Sequence, residues 1–174
     1  MKLNLWCGFD IKQWYINVDI VDWKWVDKVF DFEVFPYPFK PDIFDEIYCS
    51  MVMEHIHNLS QMVDELVRIS KNWAKIKIIV PYFSSPNLWW DITHVRWFNT
   101  NSFSWFHSNS LKSFWNIRVL KQRIHFLSNH KFMNSTLINT IPDFLINLLP
   151  KIYERFFCYI FPSSEIYYLL KIKK

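Results

Sequence analysis

At 174 residues and a net charge of +4, the chain is long enough to bury a core without disulfide or metal staples, and it reads most simply as one domain. Cys7, Cys49 and Cys158 are few, odd in number and widely spaced, which argues against a disulfide framework or a cysteine zinc site and for a reducing, cytoplasmic setting. The lysines are scattered rather than gathered in a stripe, so they permit an anionic partner without predicting one.

The chain opens on Lys2 to Leu5, an apolar strand that runs directly into a tight turn at Trp6-Cys7-Gly8. A strand leading into a glycine turn is the nucleotide-binding first loop of an α/β fold, where the ligand lies over the turn at the carboxyl end of the sheet. Asp10 follows so soon that no apolar signal-peptide core fits before it. Tyr15 to Ile20 alternates apolar and polar residues and predicts a second strand ending on Asp19. Val26 to Phe32 predicts a third, with Asp31 at its end, and Pro36, Pro38 and Pro41 then keep the chain extended. Phe44 to Cys49 predicts a fourth strand.

Asn58 caps a helix reaching about Lys71, with Leu59, Met62, Val63, Leu66, Val67 and Ser70 on one face and Lys71-Asn72-Trp73 as its C-terminal turn. Lys75 to Val80 predicts a fifth strand, stopped by Pro81 and followed by a loop rich in Ser, Pro and Asn. A short helical piece is expected from Thr100 to Phe106, then strands from Ile117 to Phe126 and from Glu165 to Ile172. Between these last two, Ile141 to Phe161 is mainly helical, broken near Pro150. Asp143, Lys151, Glu154 and Arg155 interrupt this apolar region, leaving it short of the roughly 20 apolar residues a membrane span needs. It predicts a core lid or the face of a homodimer through 141–161. Strands alternating with connections imply a mainly parallel sheet with its ligand at the carboxyl edge.

Glycine and tryptophan usage is abnormal. Average usage would give roughly a dozen glycines, whereas the chain has one glycine and ten tryptophans. Trp6, Trp14, Trp73 and Trp90 stand where turn chemistry asks for glycine. One explanation covers both anomalies: the gene uses UGA as a glycine codon and has been read here as if UGA meant tryptophan. The alternative is a naturally tryptophan-rich protein. With an indole at position 6, the first strand is expected intact, and the side chain either intrudes into the ligand space or is forced aside with local strain.

Asp19 is placed to accept hydrogen bonds from a ribose diol, or it is a solvated strand-end aspartate. Asp31 and Phe32 offer a carboxylate and an apolar wall to an adenine. His55 and His57 lie two apart with His94 distant in sequence, and no cysteine or carboxylate cluster completes the set, so no metal is expected.

Together, L-N-L-W-C-G, Y-I-N-V-D, V-F-D-F-E, F-P-Y-P-F-K-P-D-I-F-D-E-I, M-E-H-I and E-L-V-R-I-S-K-N-W-A-K-I-K-I-I-V-P resemble the class I S-adenosylmethionine-dependent methyltransferases, in the small branch with a methyltransferase-11-like core. Family glycines are replaced at Trp6 and Trp73. The resemblance spans about Lys2 to Phe106 and implies a Rossmann-like α/β fold in three α/β/α layers, with an antiparallel C-terminal edge strand. It also implies a cofactor-binding core over 1–106, with 107–174 adding the C-terminal strands and the aromatic helical region. The implied cofactor is S-adenosylmethionine, held by Leu5, Trp6, Cys7 and Gly8 under its methionine and ribose, by Asp19 on the ribose hydroxyls, by Asp31 and Phe32 at the adenine, and by Ser50 and Met51 at the methionine. Glu54-His55 matches the family's E-H pair, which shapes the pocket floor.

Trp90 to Phe106 resembles the D-x-T-H-x-R-x-F stretch of a subset of these proteins. A functional reading makes His94 a general base or substrate ligand oriented by Asp91, with Arg96 holding an anionic group and Thr93 and Tyr82 completing the substrate side. The other reading is a loop pinned by its own hydrogen bonds. The implied activity is methyl transfer to an unidentified small molecule, RNA or protein. The competing reading is a non-catalytic methyltransferase-like module that recognises nucleic acid or a protein partner through its basic, aromatic surface.

Overall fold

Short apolar runs bounded by turns build the sheet. The computed structural model describes residues 1–104, 117–127 and 136–174. Strands β1 (Lys2–Leu5), β2 (Ile16–Asp19), β3 (Lys28–Val29), β4 (Phe44–Ser50), β5 (Ser70–Pro81), β6 (Ile117–His125) and β7 (Glu165–Ile172) form one seven-stranded sheet in the order β3-β2-β1-β4-β5-β7-β6. Strands β1 to β5 pair in parallel, and β7 runs antiparallel between β5 and β6. The fold class is the expected α/β, Rossmann-like one, mostly parallel with antiparallel strands at one edge. The chain steps outward from β1 to β3, then returns to the other side of β1, so the strand order reverses between β1 and β4. Leu3, Asn4 and Leu5 are all buried; successive side chains point to opposite faces, so both faces of β1 are covered. Strand β7 alternates instead, burying Ile166, Tyr168, Leu170 and Ile172.

Helix α1 (Leu59–Ile69) is the crossover from β4 to β5. The Asn58 side chain accepts from Gln61 N–H (3.2 Å) as the N-cap, and Met62, Val63, Leu66 and Ile69 form the buried stripe. The crossovers β1–β2, β2–β3 and β3–β4 are loops. The longest of them is tied to α1: the Glu65 carboxylate accepts from Tyr37 N–H (2.7 Å), and Arg68 donates to Glu65 and to the Tyr37 and Phe39 carbonyls.

Several boundaries differ from expectation. Strand β3 is two residues long, because Asp31 opens a turn in which its carboxylate accepts from Glu33 N–H (2.8 Å), and that turn carries the chain off the sheet edge. The expected helix C-terminal turn at Lys71-Asn72-Trp73 lies instead within β5. Pairing there jumps from Phe44–Ser70 to Glu46–Lys75, leaving Trp73 in an irregularity of the strand at φ +68°. A helix α2 (Pro86–Trp90) occupies the expected loop after β5; the Ser85 hydroxyl caps it at Asn87 N–H, and Pro86 fits its first turn. Trp90 closes this helix and does not stand in a turn that needs glycine. From Asn99 to Phe103 the chain makes successive turns, and Ser104 is in 3-10 helical conformation; Trp105 and Phe106, the rest of the expected helical piece, lie outside the described residues.

Helix α3 (Thr136–Leu148) packs on β6, breaks at Leu149 and continues through Pro150–Ile152 into a π-helical turn, Tyr153–Phe157. Ile141, Phe144, Leu145, Leu148 and Leu149 on it stay more than half exposed, an apolar surface on the segment expected to pair with a second copy. No helix among the described residues is long and apolar enough to cross a membrane.

Candidate functional site

The end of β2 holds the loop that leaves β1. Cys7 N–H donates to the Val18 carbonyl (2.9 Å), while the Asp19 carboxylate accepts from Gly8 N–H (2.8 Å) and Val21 N–H (3.0 Å). At 1% exposure Asp19 is not a solvated strand-end aspartate; its geometry makes it the clamp of the first loop. Burial, with Asp19 beside it, pushes the Cys7 thiol up to about 11. The tight reversal puts two residues in the left-handed region, Trp6 at φ +53° and Gly8 at φ +48°. Glycine reaches it without penalty, whereas an L side chain pays about 1–2 kcal/mol. The Trp6 indole stands between Phe32 and His55, with ring centroids 5.8 Å and 5.0 Å away. The backbone strain expected at position 6 is present, and the indole rests on Phe32 and His55.

Asp31 and Phe32, expected as an acceptor and an apolar wall, have different surroundings. Asp31 is exposed and engaged in its own turn, whereas Phe32 is a core residue packed on Phe30, Tyr37 and Trp6.

Parallel pairing of β4 with β5 brings the segments that follow both strands to one edge. Ser50 is the last residue of β4, and Met51 follows at φ +54°, its N–H donating to the Ile79 carbonyl (2.9 Å). Glu54 is fully buried, neither carboxylate oxygen has a hydrogen-bond partner, and burial pushes its pKa up to about 8. His55 and His94, distant in sequence, meet edge to face at 4.6 Å between ring centroids. His94 Nδ1 lies 2.9 Å from the Leu88 carbonyl, which accepts only, so this nitrogen carries the proton. Asp91 therefore does not orient His94: its Oδ2 lies 4.0 Å from Nε2, beyond hydrogen-bond reach. Its Oδ1 accepts instead from the Thr93 amide (2.9 Å) and hydroxyl (2.6 Å), which hold the Asp91 carboxyl below its usual range. With its one proton given to Asp91, the Thr93 hydroxyl accepts from His55 Nδ1 at 2.8 Å. Burial, then the neighbouring His94, hold the His55 pKa below the usual imidazole value.

Two residues expected on the substrate side have other work. Arg96 donates from Nε and Nη2 to the Ile56 carbonyl (3.0 and 2.6 Å) and from Nη2 to the His57 carbonyl (2.8 Å), which pins the 91–98 segment to the turn after β4. It spends these donors on backbone carbonyls rather than on an anionic group. Tyr82 is fully buried and donates to Glu154 Oε1 at 3.1 Å, which also accepts from Thr100 N–H. Tyr82 belongs to the core under the site and not to its surface. The loop pinned by its own hydrogen bonds is thus realised, and it carries Asp91, Thr93 and His94 with it. Sequence reasoning gave Glu54 no chemical role and did not see the Leu88 carbonyl; an acid next to a histidine after the fourth strand was the one available signal.

A cavity of about 640 Å³ is lined by Trp6, Met51, His55, His57, Asp91, Ile92, Thr93 and Val95. A second, about 320 Å³, shares Met51, His55 and Asp91 with it and reaches Glu54, His94, Ser164 and Glu165. Both volumes are in the range of small-molecule sites. They lie where segments following β1, β4 and β5 converge, at the reversal of strand order.

No protein-family model matches the sequence, and no curated protein matches it by sequence. Solved structures do match in shape. An S-adenosylmethionine-dependent methyltransferase from Archaeoglobus fulgidus aligns with a TM-score of 0.63 at 16% identity, covering 98% of this chain and 85% of that one. The YcgJ protein of Bacillus subtilis aligns at 0.60 and 15%, covering 99% and 91%. The [4+2]-cyclase SpnF aligns at 0.59 and 12%, covering 99% and 74%. At such identities the likeness establishes the fold, and SpnF illustrates that one fold hosts different reactions.

Proposed function

We propose that the chain is an S-adenosylmethionine-dependent methyltransferase whose acceptor enters over His55, Asp91 and Thr93. The observation that carries the reading is the position of the cavity, at the carboxyl edge between β1 and β4, where open α/β sheets bind their ligands. Shape neighbours described as S-adenosylmethionine-dependent methyltransferases support the reaction class. Bound, the cofactor supplies a methyl group on a positively charged sulfur. The chain's part is alignment: the Asp19-clamped loop and Met51 seat the cofactor side, while Asp91 and His94 face the cavity from the acceptor side. A general base is optional for such a displacement, and His94 is the candidate when nothing else occupies its Nε2.

The reading includes the residue at position 6. Trp6, Trp14 and Trp73 have φ of +53°, +69° and +68°. A bulky residue there is a backbone outlier, and Trp14 is also 84% exposed, unusual for an indole. These conformations support glycine at 6, 14 and 73 in the natural protein, encoded by UGA; Trp90, being helical, lends no such support. Glycine at 6 removes the indole from between Phe32 and His55 and opens the loop to the cofactor. The Trp6→Gly/Trp14→Gly/Trp73→Gly protein should bind S-adenosylmethionine in calorimetry, and no detectable heat would end the methyltransferase reading. UGG codons at the three positions would end the recoding.

One observation favours the second reading. If Trp6 is genuine, its indole against His55 narrows the cavity it lines, and the fold serves as a binding module for nucleic acid or a protein.

A further inference from the structure

A fully buried carboxylate with no partner on either oxygen is costly, and such groups in native folds call for an explanation. One donor atom each of Glu54, His55 and His94 lies within 4.8 Å of the other two. Both imidazoles have Nδ1 engaged outside this cluster, His94 on the Leu88 carbonyl and His55 on the Thr93 hydroxyl. A neutral ring with its proton fixed on Nδ1 presents a lone pair on Nε2. This is how metal-ligating histidines are held: the outer nitrogen donates to a carbonyl or to a carboxylate-linked group, which fixes the tautomer and the ring plane. In the Asp91–Thr93–His55 chain a carboxylate stands one hydroxyl further out.

We propose that Glu54, His55 and His94 form a binding site for a divalent first-row transition cation, with Asp91, whose Oδ2 lies 4.0 Å from His94 Nε2 but outside the three-residue cluster, able to rotate in as a fourth ligand. Two imidazole nitrogens with one or two carboxylate oxygens suit zinc, cobalt or manganese better than calcium or magnesium, which favour all-oxygen sets. Three or four ligand atoms each about 2.1 Å from one ion lie roughly 3.4–3.6 Å apart, so closure from separations of up to 4.8 Å draws them together by up to about 1.3 Å through side-chain rotation. His55 and Asp91 line both cavities, and Glu54 and His94 line the smaller. An ion held there keeps open positions toward that space, the arrangement of catalytic rather than structural metal sites, and would take an oxygen ligand from whatever occupies it. The cation gives the buried, otherwise unpartnered Glu54 carboxyl a partner.

Cation binding is measured without cofactor or acceptor, so this inference and the methyltransferase reading fail separately. Tag-free protein, stripped with chelator, is titrated calorimetrically with Zn²⁺ and, by visible absorption, with Co²⁺; Mg²⁺ is the comparison ion. One Zn²⁺ per chain at micromolar or tighter affinity is expected, with a Co²⁺ d–d band and weaker Mg²⁺ binding. Glu54→Gln and His94→Ala should each weaken Zn²⁺ by at least about tenfold, a loss that even outer-sphere partners of metal ligands produce. His125→Ala, a histidine on β6 outside the cluster and outside both cavities, should leave it unchanged. Glu54→Gln keeps the side-chain shape and removes the buried charge, so it should fold; Co²⁺ should raise the melting temperature of the parent but not of this variant. Absence of a one-to-one site, or a site lost in His125→Ala and kept in Glu54→Gln, would overturn the proposal.

Discussion

Trp14 and Trp90 allow the backbone argument to be tested by one substitution made twice. Both side chains are largely exposed, at 84% and 81%, but Trp14 sits at φ +69° whereas Trp90 ends helix α2. Replacing either by glycine also removes the little burial the indole has, so alanine is the reference that cancels this loss. At position 14, glycine relieves about 1–2 kcal/mol of left-handed strain relative to alanine and loses about 0.5–1 kcal/mol of chain entropy. Trp14→Gly should therefore be about 0.5–1 kcal/mol more stable than Trp14→Ala. At position 90 no strain is relieved, and glycine should be less stable than alanine by up to about 1 kcal/mol, the helical propensity difference. The order of the two variants thus inverts between positions, a swing of about 1–2 kcal/mol. Urea unfolding at constant slope measures it as a shift of midpoint. Alanine above glycine at both positions would refute the assignment of a glycine conformation to residue 14, and with it a main support for glycine at 6 and 73.

Three further outcomes follow from the hydrogen bonds. Asp19→Ala leaves the Gly8 and Val21 amides without their acceptor and should cost about 2–4 kcal/mol in urea unfolding; an unchanged midpoint would show that Asp19 does not clamp the loop. Arg96→Ala removes three donations to the Ile56 and His57 carbonyls and should cost about 2–3 kcal/mol while exposing 91–98 to limited proteolysis; full stability would return Arg96 to the role of anion ligand. Arg68, then the Tyr37 amide, hold the Glu65 pKa below its ordinary value. A group depressed on folding contributes stability that is complete above its unfolded pKa, near 4.5, and is lost as pH falls through the lower folded value. Glu65→Gln should flatten that acid limb, and an acid limb identical in the two proteins would remove Glu65 as its cause.

What was legible in the sequence is what neighbours along the chain decide. The strand from Glu165 to Ile172, the apolar face of α1 behind Asn58, and the strand bounds at Lys2–Leu5 all survive in the structure. These patterns depend on a repeat of two or 3.6 residues and on a local cap. The conflict at Trp6 was legible for the same reason, since a tight turn after β1 demands a backbone angle whatever lies around it.

Where the sequence reading failed, long-range pairing made the decision. Tyr82 looked like a substrate contact by its place after β5, but Glu154 draws it into the core. Arg96 looked free for an anion, but the carbonyls it caps belong to the turn after β4. His94 looked too distant to act with His55. Parallel pairing of β4 and β5 carries both following segments to one edge and sets the two rings 4.6 Å apart above a buried, unpartnered Glu54. Local periodicity determined which segments become strands and helices. Only the sheet order decided which side chains meet at their ends, because that proximity arises from strands pairing across the chain and leaves no period in the sequence.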